Sequence, residues 1–138
     1  MVDEGRLSRL LRQVGDRATR LQAAAATAVD NRHELWLDGV KYLFVTAIEG
    51  CVDVAQHIAS SERYPAPDTN AASIRLLGER GVIDEGLAGS MSRAVGFRNV
   101  LVHQYAEVDD RIVLASLGDV QQLHDFVQAV SAWLLDQS

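Results

Sequence analysis

The sequence is poor in the residues that carry most recognisable chemistry. It has one cysteine, two prolines, one lysine and four histidines in 138 residues. The lone cysteine, Cys51, cannot close an internal disulfide and fits no zinc-ligand spacing. That points to a reducing compartment, hence the cytoplasm. No run approaches the roughly 18 uninterrupted apolar residues of a membrane span. The opening stretch MVDEGRLSRLLRQVGDR is charged throughout, unlike a signal peptide. There is no Gly-rich phosphate loop, no GxSxG, no HExxH and no Cys/His cluster, so nothing points to a bound cofactor or metal. With 13 basic and 19 acidic residues the net charge is −6, which excludes a protein that coats nucleic acid by charge alone.

What is present is helical. The apolar fraction is 48%, enough for a core, and the length suits one domain over residues 1–138. Leu7, Leu11, Val14, Ala18, Leu21, Ala25 and Ala28 recur at alternating spacings of four and three, and predict a helix over residues 4–29. Six of the twelve arginines lie in residues 1–32 against four acids, so this end carries +2 and the remainder −8. Those arginines make a solvated face or a surface for RNA or protein. Trp36, Val40, Phe44, Ala47, Ile48, Cys51, Val54, Ala55 and Ile58 predict a second helix over residues 33–60. A second row on that helix is polar: Glu49, Asp53 and His57. Its outer members lie about 12 Å apart along the axis, too far to share one metal ion.

The stretch SSERYPAPDTN holds both prolines and breaks the pattern. Asp68 or Thr69 caps a short helix through Leu77, and GERG ends it. Asp84 caps a further helix, with Leu87, Met91, Ala94 and Val95 inward, that runs into GFRNVLVHQY. Residues 111–115 form a strand-like edge or a loop. Asp119 opens a last helix carrying Val120, Leu123, Phe126, Val130 and Trp133. Four longer helices, one short one and brief connections read as an all-α, antiparallel up-down bundle.

Within GFRNVLVHQY, Arg98, Asn99, His103 and Tyr105 put a fixed cation, an amide, an imidazole and a phenol within eight residues. Asn99 and His103, four apart, share a helix face. Arg98 and His103, five apart, lie about 140° apart around a straight helix. They converge only if the helix bends or ends near His103, or if a second subunit supplies another copy of the pair. Otherwise Arg98 sits in a salt bridge and His103 caps carbonyls at a helix end.

Arg98, Asn99 and His103 reproduce the Arg-x4-His signature of the HEPN superfamily, and the extension to Tyr105 resembles its HepT-like subgroup. KYLFVTAIEGCVDVAQHIAS, the stretch from Pro65 through GVIDE, and MSRAVGFRNVLVHQYAEVD also resemble that family, in family order, over residues 42–113. The resemblance implies a HEPN-like helical bundle that acts as the toxin of a toxin–antitoxin system. It implies a metal-independent endoribonuclease in which an RNA 2′-hydroxyl attacks the adjacent phosphodiester. Arg98 and His103 would be catalytic, with Asn99 orienting phosphate or imidazole. Glu49 resembles the family's acidic residue near the cleft; the alternative is a salt bridge to Arg98. The implied assembly is a homodimer with two motifs in one cleft. The implied partner is an MntA-like nucleotidyltransferase antitoxin that adds AMP to Tyr105. A non-catalytic reading also stands: a nucleotide- or RNA-binding module that partners a nucleotidyltransferase, favoured by the net acidity.

Overall fold

The helices begin where short polar side chains can satisfy the first free amides. The computed structural model describes residues 2–104 and 107–137. In α1 (Glu4–Ala25), the Asp3 carboxylate accepts from the Arg6 amide. In α3 (Asn70–Glu79), Thr69 accepts from Ala72, and in α4 (Glu85–His103), Asp84 accepts from Leu87. In α5 (Asp110–Ser116), Asp109 accepts from Arg111. The long α2 (Trp36–Ser61) and the last helix, α6 (Gln121–Asp136), start without such a cap. Apolar burial rather than end chemistry holds those two.

Three boundaries differ from the sequence expectation, each for a physical reason. The alanine stripe of α1 stops at Ala25, because Ala25 and Ala28 face solvent and have nothing to cover. A short 3-10 turn over Val29–Asn31 follows. Residues 111–115 are neither strand nor loop but the body of α5, whose Val113 is buried and whose Asp110 pairs with Lys41 at 3.2 Å. Lys41 is itself only 7% exposed, so this pair pins the start of α5 to α2. The last helix opens at Gln121, after a 3-10 turn over Leu117–Asp119.

The described residues thus form six α-helices and no strand, an antiparallel up-down bundle with α5 added to the expected set. One continuous core runs through it. Leu7, Leu11, Val14, Ala18 and Leu21 of α1 meet Ala47, Cys51, Val54 and Ile58 of α2, and Leu123, Phe126 and Val130 close the α6 side. Ile74 and Leu77 of α3 and Met91, Val95 and Leu101 of α4 complete it over α2. Among the described residues, no helix is long and apolar enough to cross a membrane.

Close approach of α3 to α4 rests on a missing side chain. A Cβ at Gly78 would stand 2.6 Å from the Ala88 Cβ, well inside contact distance. Gly81, at φ +76°, turns the chain between the two helices in a conformation that other residues adopt at a cost. This turn sets the axis of α4 and therefore the direction of the residues at its far end.

Candidate active site

The end of α4 is seated by Phe97 and Leu101. Phe97 packs edge-on against Phe44 of α2, with ring centroids 5.3 Å apart and planes at 86°. Leu101 is fully buried. Between them, Arg98 turns toward α2. Its Nη2 donates to Glu49 Oε1 at 2.6 Å and its Nε donates to the same oxygen at 3.2 Å. Its Nη1 donates to the Asn99 side-chain oxygen at 3.1 Å. Glu49 is thus the salt-bridge partner of Arg98, the alternative that the sequence left open. Asn99 thus meets the guanidinium through its side-chain oxygen.

A guanidinium carries five N–H groups in a fixed fork. Three are used in these contacts. Among the described residues, one N–H on each terminal nitrogen is left for an incoming group. Guanidinium N–H donors of this kind bond phosphate oxygens well.

His103 is exposed in the final turn of α4, and Gln104 caps that helix by donating to the Val100 carbonyl. The helix does end at His103, one of the two routes by which Arg98 and His103 could approach each other. Within one chain they still diverge: Arg98 lies against α2, whereas His103 shares an exposed face with Asn99. Val100 and Val102, each 42% exposed, flank that polar pair on either side. Tyr105 lies outside the described residues.

The polar row on α2 divides among three tasks. Glu49 holds Arg98. His57 accepts a hydrogen bond from the Asp3 amide at 3.2 Å and ties α2 to the start of α1. Asp53 faces a cavity of about 230 Å3 lined by Glu49, Val52, Asp53, Gln56, Asn70 and Arg98. Partial burial, and then repulsion from Glu49, raise the Asp53 carboxyl above its ordinary value, with Arg6 opposing. Gln56 and Asn70 carried no signal in the sequence. Gln56 lies on the flank of the α2 row and Asn70 opens α3, so only packing brings them beside Arg98. Among the described residues, no three His, Cys, Asp or Glu side chains form a metal-binding group. A larger hollow of about 310 Å3 lies beyond Phe97; Phe44, Ile48, Met91 and Leu123 give it an apolar wall, and Arg93 and Asp119 also line it. Cys51 is fully buried, and burial pushes its thiol up, so it is a core residue.

Residues 8–130 match the family described as ribonuclease HepT-like. A protein of Archaeoglobus fulgidus, provisionally named an RNase, is 35% identical over 95 residues, 68% of this chain and 71% of its own length. The mRNA nuclease HepT of Shewanella oneidensis is 32% identical over 85 residues, 59% of this chain and 64% of its own length. Among solved structures, a chain from the tri-AMPylated Shewanella oneidensis HEPN toxin in complex with MNT antitoxin superposes with a TM-score of 0.83 at 22% identity, covering 96% of this chain and 99% of that one. The cytosolic protein YutE of Bacillus subtilis, of unknown function, superposes with a TM-score of 0.87 at 17% identity, over 99% of this chain and 93% of that one. These structures share the fold of the bundle, and the family match over residues 8–130 carries the conclusion: this chain belongs to the ribonuclease HepT-like family.

Proposed function

We propose that this protein is the toxin of a toxin–antitoxin pair, a cytoplasmic, metal-independent endoribonuclease acting as a homodimer. The observation that carries this is the Arg98 guanidinium. It is held by Glu49 and Asn99 and keeps free donors, on the same last turns of α4 that carry the exposed His103 imidazole.

The chemistry follows from those groups. The RNA 2′-hydroxyl attacks the adjacent phosphorus and the bond to the 5′-oxygen breaks. The products are a 2′,3′-cyclic phosphate and a free 5′-hydroxyl. Arg98 takes the phosphate and balances the charge that builds in the transition state. His103 moves a proton, the part an imidazole most often takes in general acid–base catalysis. One imidazole cannot both take the 2′-hydroxyl proton and supply one to the leaving oxygen in a single step. A second copy of the chain supplies the other. Val100 and Val102 on the His103 face are the apolar area that such a copy would cover.

The partner in this reading is an MntA-like nucleotidyltransferase antitoxin that adds AMP to Tyr105, two residues beyond His103. Added adenylate would fill the cleft and repel the RNA backbone. The solved relative described as tri-AMPylated and bound to MNT antitoxin supports that control. Relatives named RNase and mRNA nuclease support the reaction class.

A second reading has its own support: the net charge of −6 and the engagement of Arg98 by Glu49 suit a nucleotide- or RNA-binding module that does not cut. Cleavage of RNA in EDTA separates the two, with wild type beside His103→Ala and the product ends identified. The expected result is cyclic-phosphate ends from wild type and a loss of about 10²-fold or more in His103→Ala. Intact RNA after incubation with folded, unmodified dimer would establish the binding module instead.

A further inference from the structure

We infer that the cavity beside Arg98, walled by Asp53, Gln56 and Asn70, is a base-reading subsite that takes a guanine adjacent to the scissile phosphate. The inference rests on the ribonuclease reading and extends it to sequence preference.

Charge decides which part of RNA can enter. Arg98 stands on one wall of the cavity and Asp53 on another. Glu49 is spent on Arg98, whereas Asp53 makes no such bidentate pair; partial burial and then the Glu49 charge raise its carboxyl, with Arg6 only partly offsetting them. A phosphate is drawn to the free donors of Arg98 and repelled from the Asp53 wall. A nucleobase carries no charge and presents N–H groups that a carboxylate accepts. Val52, buried beneath, offers an apolar surface to its ring. A volume of about 230 Å3 falls below the range of drug-sized pockets and suits a single planar group. Sequence-specific readers of RNA engage splayed single-stranded bases in this way, on their Watson–Crick edges.

The polar groups are set in advance. Gln56 Nε2 donates to Asn70 Oδ1 at 3.1 Å, linking α2 to the first residue of α3. That bond leaves the Gln56 oxygen as an acceptor and the Asn70 amide as a donor. Together with Asp53, the wall presents a carboxylate, a carbonyl and an N–H. Guanine is the complement: its N1–H and N2 amino group point to a carboxylate, and its O6 accepts from an amide. Adenine and cytosine each present one amino group beside an unprotonated ring nitrogen, which a carboxylate repels. Uracil sets one N–H between two carbonyls and fits worst.

The test maps cut sites in a randomised single-stranded RNA pool for wild type, Asp53→Asn and Gln56→Ala. Wild type should favour guanine over uracil by about tenfold or more at a fixed position beside the cut, the discrimination of one good bidentate contact. Asp53→Asn should bring that ratio toward one, and Gln56→Ala should lower it. Wild-type cleavage without base preference there, or variants that keep the wild-type ratio, would overturn the inference while leaving the ribonuclease reading intact. If wild type cuts no RNA, that reading fails by itself, and titration with guanosine and uridine monophosphates decides the subsite. Shifts of the Gln56 and Asn70 side-chain amide resonances with the guanosine nucleotide only, lost in Asp53→Asn, support it. No shift, or equal shifts with both nucleotides, sinks it.

Discussion

Glu49→Gln isolates the charge that aims Arg98. The substitution keeps the side-chain length and an oxygen for Arg98 to bond, and removes only the negative charge. In the native protein one Glu49 oxygen takes two N–H groups, at 2.6 and 3.2 Å. The Arg98 side chain is 19% exposed and Glu49 44%, so the pair sits between two regimes. A fully exposed pair is worth about 0.2–1 kcal/mol. Hydrogen bonds to a charged group contribute about 1.5–3 kcal/mol when shielded from water. With one partner nearly half in solvent, the loss should be about 1 kcal/mol. For a domain of this size that lowers Tm by about 3–5 °C. Activity should divide in a way that lost stability alone does not produce. Arg98 remains present and cationic, and one nearby negative charge is gone, so KM for RNA should hold or fall. The guanidinium loses its aim at the transition state, so kcat should drop about tenfold. Urea unfolding and steady-state cleavage at a temperature where both proteins are folded provide the readout. A double-mutant cycle with Arg98→Met measures the pair directly. A coupling below about 0.3 kcal/mol, the scatter expected of independent sites, together with unchanged kcat, would refute the claim that Glu49 holds Arg98.

Gly78→Ala should destabilise the fold by about 1–2 kcal/mol, because overpacking outweighs the helix preference of alanine. The added Cβ would meet Ala88 at 2.6 Å, so Ala88→Gly in the same chain should recover most of the loss in the urea midpoint. A single variant as stable as wild type would show that α3 and α4 can separate freely. Asp53→Asn should stabilise the protein at pH 7. Burial and then Glu49 raise the folded carboxyl above 3.8, so its ionised form weakens the fold at neutral pH, and that weakening fades as pH falls through the raised pKa. The advantage of the variant over wild type in thermal melts should therefore close below about pH 4. The capping carboxylates Asp3 and Asp109 have lowered pKa values and act in the opposite sense, losing stability as pH falls, but they are common to both proteins and cancel in the difference. A wild type more stable than Asp53→Asn at neutral pH would overturn this reading.

The helices were legible because burial imposes a period. Leu7 through Leu21 and Val40 through Ile58 recur as the core requires, and Thr69 and Asp84 mark starts that the backbone amides confirm. Legibility failed where periodicity was short or idle. The α5 segment offers seven residues, with β-branched Ile112 and Val113 at its centre, too few to display a helical period. Its helix depends on the Asp109 cap and on Lys41, 69 residues before its partner Asp110, neither of which a local pattern weighs. At the other extreme, Ala25 and Ala28 continued a stripe beyond the point where anything remained to be covered.

At the candidate site the division is the same. Residue types at fixed spacing in GFRNVLVHQY, and an acidic residue on the neighbouring helix, suffice to mark a candidate site and its place at the end of a helix. They state what each group can do, because donor count, charge and titration belong to the side chain. They leave open which groups meet. The Glu49–Arg98 pair, the Gln56–Asn70 bond that bridges two helices, and the cavity that Asp53 faces depend on how α2, α3 and α4 pack, which Gly78 and Phe97 govern. Local sequence determined the helices and the chemical inventory, since both arise from interactions within a few residues. Tertiary packing alone decided that Arg98 lies half-buried against Glu49 while His103 stands in solvent, because that choice is made by the surface each helix must bury.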